Sequence, residues 1–378
     1  MKCNSLGTLL LGAALIFAPT STFAATITAL SSFGGGDGWL APGEGGYAYL
    51  GTANNERGIA YGNNHVYLVS RANVSGSATN VRILDPATGA DQGGLNTTGI
   101  SGGTFAVNAT GVDSDGAIYV GNLTTQSTTS PFKVYKWATE ASAPTTVYSG
   151  DAGLAGARVG DNLAVIGSGS AVRIAAGYGS TPAVAGNNSY TVVDPTASTA
   201  TAIAFAGTPP NAGDFRLGIT FAGPSNVIGA QGSSIYRYTS FSGSSGTLIG
   251  SPTIPDPAGA TADRLLAYTT IGGIPILAVQ SIGDSHVSIY DVTNPATPVY
   301  LAGKNNTSGS LTSNANGSGA LAWGATTNNV DGSVSQILYA MSTNQGIQAF
   351  VVTIPEPATG ALVAIVIALG AGGRRRYA

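Results

Sequence analysis

A loose internal repeat constrains this chain more than any other feature. From Arg57 to Leu95, short apolar segments alternate with turn residues. Arg57–Tyr61 and His65–Arg71 flank Gly62-Asn63-Asn64, whose small and amide side chains suit a tight hairpin. Val81–Leu84 follows, then Asp85-Pro86, where proline pre-sets the backbone for a turn, then a weaker segment near Leu95. Four strand-sized segments in about 40 residues cannot bury their apolar faces alone, so such units stack on one another. The pattern returns five more times, over Phe105–Gly150, Ala157–Gly207, Asp214–Gly250, Asp263–Gly303 and Gly319–Thr353.

This spacing predicts an all-β fold, a β-propeller of about six four-stranded blades. Val66–Val69 and Ile276–Val279 are apolar at every position, as strands covered on both faces require. A pair of β-sandwiches or a β-solenoid is the rival arrangement. The last copy lacks room for a fourth strand before Pro355. Tyr47-Ala-Tyr-Leu-Gly51 resembles Val299-Tyr-Leu-Ala-Gly303, and each precedes an Asn-Asn pair. Tyr47–Gly51 is therefore expected to supply the missing strand and close the ring. Seven blades result if Ala25–Gly46 contributes strands of its own.

The composition agrees. Charged residues are 9% of the chain and glycine numbers 55 of 378 residues, which suits turns and short strands rather than helical bundles. Lys2, the apolar run Leu6–Phe17 and the small residues around Ala24 form a secretory signal, with cleavage expected between Ala24 and Ala25. Cys3, the only cysteine, lies inside that signal, so the exported chain has no thiol and no disulfide. Residues 25–353 are the expected ectodomain. They carry 11 basic and 17 acidic residues, a mildly acidic balance that makes nucleic acid an unsuitable partner.

At the other end, Ile354-Pro355-Glu356-Pro357 leads into the apolar run Ala358–Gly373 and then Arg374-Arg375-Arg376. A bilayer-spanning helix takes about 20 apolar residues, and this run lies near the short end of that range. Pro-Glu-Pro, an apolar segment and a terminal arginine cluster together resemble the PEP-CTERM sorting signal. The same tail also resembles the ice-binding-protein C-terminal domain, a label that says nothing about the ectodomain. The resemblance implies a transmembrane sorting helix over 354–378, processing by an exosortase-type membrane enzyme, and delivery to the cell surface or extracellular matrix. A second resemblance rests on Leu30-Ser-Ser-Phe33, Gly38–Pro42, Glu56–Tyr61, Lys133–Trp137 and Ala143-Pro144. These segments are similar to an uncharacterised family of secreted bacterial propeller-like proteins, from which no catalytic residue carries over.

The chemistry-bearing residues are few. His65 and His286 are the only histidines, and each sits at a strand end rather than in a ligand pair. No Gly-x-Ser-x-Gly elbow or phosphate loop occurs, and the acids are too scattered to nominate a carboxylate pair. Asp113-Ser-Asp115-Gly116 superficially suggests a calcium loop but lacks its later ligands, so it reads as a hairpin turn. No catalytic residue, metal or cofactor is nominated.

One pattern stands out. Arg57, Arg158, Arg216 and Arg264 fall at or near the start of the first strand in four copies, beside Glu56, Asp161, Asp214 and Asp263. First strands are innermost in a propeller, so these side chains are placed around one mouth of the central channel. Two readings follow. Each arginine pairs with its acidic neighbour and ties blades together, or the arginines converge on a carboxylate or phosphate ligand. The expected function is non-catalytic binding or scaffolding, with extracellular polysaccharide as candidate ligand. The alternative is a propeller enzyme (a lyase, hydrolase or lactonase-like enzyme) acting on polysaccharide or a small anion. A coat protein with no ligand is the third reading.

Overall fold

The computed structural model describes residues 25–182, 186–230, 235–254 and 263–355. The signal segment with Ala24, and the tail with Glu356, Pro357 and Arg374–Arg376, lie outside the described residues. Among the described residues no α-helix occurs, and no helix is long and apolar enough to cross a membrane.

Six antiparallel meanders follow one another along the chain. The first runs through Glu56–Gly62, His65–Ser70, Asn80–Leu84 and Asp91–Gly94. Inner strands of the six are Glu56–Gly62, Phe105–Val112, Ala164–Ile166, Gly218–Gly223, Asp263–Ile271 and Gly319–Asn328. Each inner strand lies against the next, and the last lies against the first, which closes a ring. Gly218 shows how closely the inner strands approach: a Cβ there would sit 1.8 Å from the carbonyl oxygen of Arg264.

Apolar clusters fill the space between successive meanders. Tyr67, Val69 and Val81 of the first meet Ile118, Val120 and Trp137 of the second. Phe132, Val134 and Tyr148 of the second meet Val172, Ile174 and Val193 of the third. The same arrangement continues around the ring to the last and first meanders, where Tyr339 and Met341 pack on Ile59, Val66 and Leu68. This is why Val66–Val69 is apolar throughout: successive side chains point to opposite neighbours, and both neighbours are apolar.

Three expectations are corrected. The meanders do not form six separate sheets. Hydrogen bonding gives five sheets, because the third and fourth meanders join edge to edge through a parallel pairing of Ala204 with Ser245 and Phe205 with Gly246. Ala25–Gly46 adds no further blade: Thr26–Ala29 and Trp39–Leu40 both pair with the final strand, Gly346–Ile354.

The closing strand is also not Tyr47–Gly51. Thr26–Ala29 closes the last sheet, in antiparallel register with Phe350–Thr353. Gly43, Gly45 and Gly46 adopt positive φ and curl the chain just before Tyr47, so the segment forms turns. Its side chains act as a wedge instead. Tyr47 stacks on Tyr49 at 5.2 Å, and Tyr49 and Leu50 are buried between the last and first meanders.

Candidate functional site

The inner strands all begin at one mouth of the ring, and their starts place the nominated arginines. Two of them use the same backbone device. Pairing of the first inner strand with His65–Ser70 slips between Glu56 and Gly58, leaving Arg57 as the extra residue of a bulge. Pairing of the fifth slips between Asp263 and Leu265, leaving Arg264 in the same position. A bulge re-aims its extra side chain out of the normal alternation. Arg158 precedes the third inner strand and Arg216 precedes the fourth, both in the approach to the same mouth.

Asp161 is the hub that joins them. Its carboxylate, 2% exposed, accepts bonds from Arg158 Nε at 2.7 Å and Arg158 Nη2 at 2.6 Å. Arg216 Nε lies 3.7 Å from the same carboxylate, close enough for an ion pair but beyond a hydrogen bond. Arg264 lies next, within electrostatic reach of Arg216, and its Nε has no hydrogen-bond partner. Gly317, at φ +62°, leaves the space its guanidinium occupies, since a Cβ there would overlap Arg264 Nη1.

Arg71 was not nominated from the sequence, and it completes the cluster. It follows the second strand of the first meander, where its backbone N–H bonds the Asn55 carbonyl two residues before Arg57. Arg71 Nε donates to the Val107 carbonyl and Nη2 donates to Asn108 Oδ1. Arg57 Nε donates to that same Oδ1 at 3.2 Å. Asn108 is held in turn by its Nδ2, which donates to the carbonyls of Gly160 and Asp161. Arg57 is 4% exposed, and its Nη1 is buried with no partner.

Local pairing therefore fails at three of the four nominated positions. Arg158 pairs with Asp161 as expected. Glu56 instead accepts a bond from the Asn344 backbone N–H at 2.6 Å, fastening the last meander's hairpin to the first. Asp214 pairs with Arg237 at 2.8 Å rather than with Arg216. Arg264 has no carboxylate partner among the described residues. The contrast with the rest of the molecule is informative. Among the described residues, the three arginines away from the mouth, Arg82, Arg173 and Arg237, each have a carboxylate of their own. At the mouth, Asp161 pairs with Arg158 and Arg216 and acts at longer range on Arg57 and Arg71, while Arg264 lies beyond it beside Arg216.

Electrostatics reflect this shortage. Burial pushes the Arg57 guanidinium below its ordinary value, partly offset by Asp161 and Glu56. Burial first, and the Arg57 cation second, push Arg71 down to about 8. Burial, then Arg216, lowers Arg264. Arg158 moves the other way, raised by its hydrogen bonds to Asp161. Burial also pushes the Glu56 carboxyl up, partly offset by its bond from the Asn344 backbone N–H.

Arg57, Arg71 and Arg158 open onto one cleft of about 550 Å³. Its walls include Asn54, Asn55, Asn316, Thr79, Thr104 and Phe105. The Arg71 guanidinium lies over the Phe105 ring at 3.5 Å, and the ring is still 43% exposed. Arg216 and Arg264 are not among the residues that line this cleft, and Arg216 reaches it through Asp161. Deeper along the axis, Asn162 Nδ2 bonds the carbonyls of Leu217 and Gly319 across the ring. Asn162 also lines a second cavity of about 210 Å³, whose other walls are largely apolar residues of the inner strands.

The other candidates sit elsewhere. His65 Nδ1 contacts Glu140 at 2.6 Å, and Tyr67 donates to the same oxygen, linking the first two meanders at their outer side. His286 Nε2 is buried without a partner. Asp113 caps its own turn, accepting from the backbone N–H of Asp115 and Ala117 and from Tyr119. Among the described residues, no group of three or more His, Cys, Asp or Glu converges as a metal would need.

No curated protein matches the chain. Among solved structures, a DUF4623 family protein from Bacteroides eggerthii superposes with a TM-score of 0.58 at 16% identity, covering 80% of this chain and 71% of that one. The major allergen Mala s 1 of Malassezia sympodialis gives 0.47 at 12% identity, over 78% and 91%. The periplasmic gluconolactonase of Pseudomonas aeruginosa gives 0.43 at 13%, over 80% and 86%. A family model described as a domain of unknown function, DUF4623, matches residues 46–236, half of the sequence, and the chain belongs to that family.

Proposed function

We propose that this is an exported propeller, its meanders counting as six blades, that binds an anionic ligand at its arginine-rich mouth without transforming it. The observation that carries the reading is the charge shortage. Three arginines face one cleft, only Arg158 has a bonded carboxylate, and Arg57 Nη1 is buried and unpartnered. Unpaired buried charge is costly, and an anion arriving in the cleft supplies the missing partner. The cleft offers guanidinium, amide and hydroxyl groups. The nearest carboxylates, Asp161 and Glu56, are already held by Arg158 and by the Asn344 N–H. With both carboxylates committed to structural bonds, the arrangement favours binding over catalysis.

Export and surface display are proposed on the signal segment before Ala25 and on the Pro355–Arg376 tail, with an exosortase-type enzyme as the processing partner and the membrane as the anchor before processing. Titration calorimetry of the exported full chain with citrate tests the binding reading. Wild type is expected to bind, and an Arg57→Gln/Arg158→Gln variant to lose at least about tenfold in affinity and, with buried Asp161 left unpaired, to melt a few degrees lower. A variant that melts lower but binds citrate as well as wild type refutes the reading. Mass spectrometry of both chain ends from fractionated cells tests export: intact Lys2 and Arg374–Arg376 on the mature protein would reject it.

A further inference from the structure

The mouth is more than a cluster of positive charge. Phe105 is the start of the second inner strand, and it is one of few large apolar side chains left exposed. A small inorganic anion has no use for an aromatic face, and a cleft of about 550 Å³ is far larger than such an ion, lying within the range of about 300–1,000 Å³ typical for organic ligands. The other polar side chains of the wall are Asn54, Asn55, Asn316, Thr79 and Thr104, groups that both donate and accept hydrogen bonds, as hydroxyls do, and they alternate with apolar residues such as Leu123. Arg71 spends Nε and Nη2 on the protein and has no protein bond from Nη1. Arg57 lines the same cleft and bonds a protein side chain through Nε, so both guanidiniums keep donor capacity for a ligand.

We propose that the ligand is a carboxylated sugar, a hexuronate unit within an oligosaccharide. This inference rests on the anion-binding reading above and names its ligand class. The carboxylate sits between Arg57 and Arg71, where charge is short. The C–H face of the sugar ring lies on Phe105, an apolar surface beside a polar wall. Ring hydroxyls exchange bonds with the asparagine and threonine rim. A single negative charge per sugar unit suits the site better than a phosphate dianion, because Asp161 already neutralises part of the cluster from below.

The test uses the exported full chain titrated with oligogalacturonate, its fully methyl-esterified form, and inorganic phosphate. The acid oligomer is expected to bind, and both other probes to bind at least about tenfold more weakly. Phe105→Ala is expected to cost the oligomer about tenfold and phosphate clearly less, because phosphate loses only the ring's support of Arg71 while the oligomer also loses its stacking surface. Phe105 is 43% exposed, so its loss leaves the core in place. Phe105→Trp, which keeps a platform, is expected to bind the oligomer at least as well as wild type. If phosphate binds as tightly as the acid oligomer, or if Phe105→Ala has no effect on the oligomer, the uronate assignment falls and the anion reading stands. If neither citrate nor any of these anions binds, both fall together.

Discussion

Asp161→Asn separates a charge-short ligand site from a set of structural ion pairs, because the two predict opposite signs for binding. The carboxylate is buried and holds Arg158 through two short bonds, with Arg216 at 3.7 Å. Breaking a fully buried pair costs about 3–5 kcal/mol. The two arginine side chains are 26% and 23% exposed, so water takes up part of their charge. The expected loss is then about 2–3 kcal/mol. For a fold of about 330 residues the unfolding entropy is about 0.7 kcal/mol/K, so the melting temperature should fall by about 3–4 °C. Affinity should move the other way. A unit charge about 6 Å from the ligand is worth about 3 kcal/mol at an effective dielectric of about 20. Salt in the open cleft reduces this to about 1.4 kcal/mol, or about tenfold tighter binding of citrate. Scanning calorimetry and titration calorimetry on the same preparation measure both. Reduced stability with unchanged or weaker citrate binding would refute the claim that the mouth lacks negative charge.

Other predictions concern the site's pH response and the ring's closure. Arg71 titrates near 8 when free, and a bound anion raises that value, so binding above pH 8 takes up a proton. Citrate affinity should therefore be level below pH 8 and fall by up to about tenfold per pH unit above it, as calorimetry across pH 6.5–9.5 would record. Deleting Ala25–Ala29 removes buried Ile27 and four ladder pairs from the last sheet. It should destabilise the fold by about 3 kcal/mol or more and expose Gly346–Ile354 to aggregation, measurable by melting and light scattering. A stop codon after Pro355 should leave the melting temperature unchanged. A stop before Ile354 should lower it, because Ile354 is buried and pairs with Val334.

Much of the architecture was legible in the sequence because it is written in short-range terms. Turn residues such as Asn63-Asn64, and runs apolar on both faces such as Val66–Val69, report locally on strands packed between neighbours. The closure was not legible. Tyr47–Gly51 shares its residue types with a true outer strand, but the three glycines before it set its path. The real closing strand, Thr26–Ala29, is too short for its alternation to stand out. The site was half legible. Arg57 and Arg264 were found by their recurrent position, though the bulges that re-aim them depend on register with the next strand. Arg71 was missed because it ends a second strand, and only the fold brings it beside Arg57. The acidic neighbours misled: adjacency in sequence did not decide pairing, and Glu56 and Asp214 chose partners from elsewhere in the ring.

The pairing of Thr26–Ala29 with Phe350–Thr353 also sets the order in which the ring can be made. Its two halves are separated by almost the whole ectodomain, so this seam has the largest loop-closure cost of any sheet contact in the molecule. It can form only after the last meander has been delivered, while every other sheet can begin to assemble from neighbouring segments. The first strand of the ectodomain is therefore the last to be used. Until it is used, the final strand presents an open edge able to recruit another chain. Once Thr26–Ala29 pairs with Phe350–Thr353, that edge is covered from within the same chain.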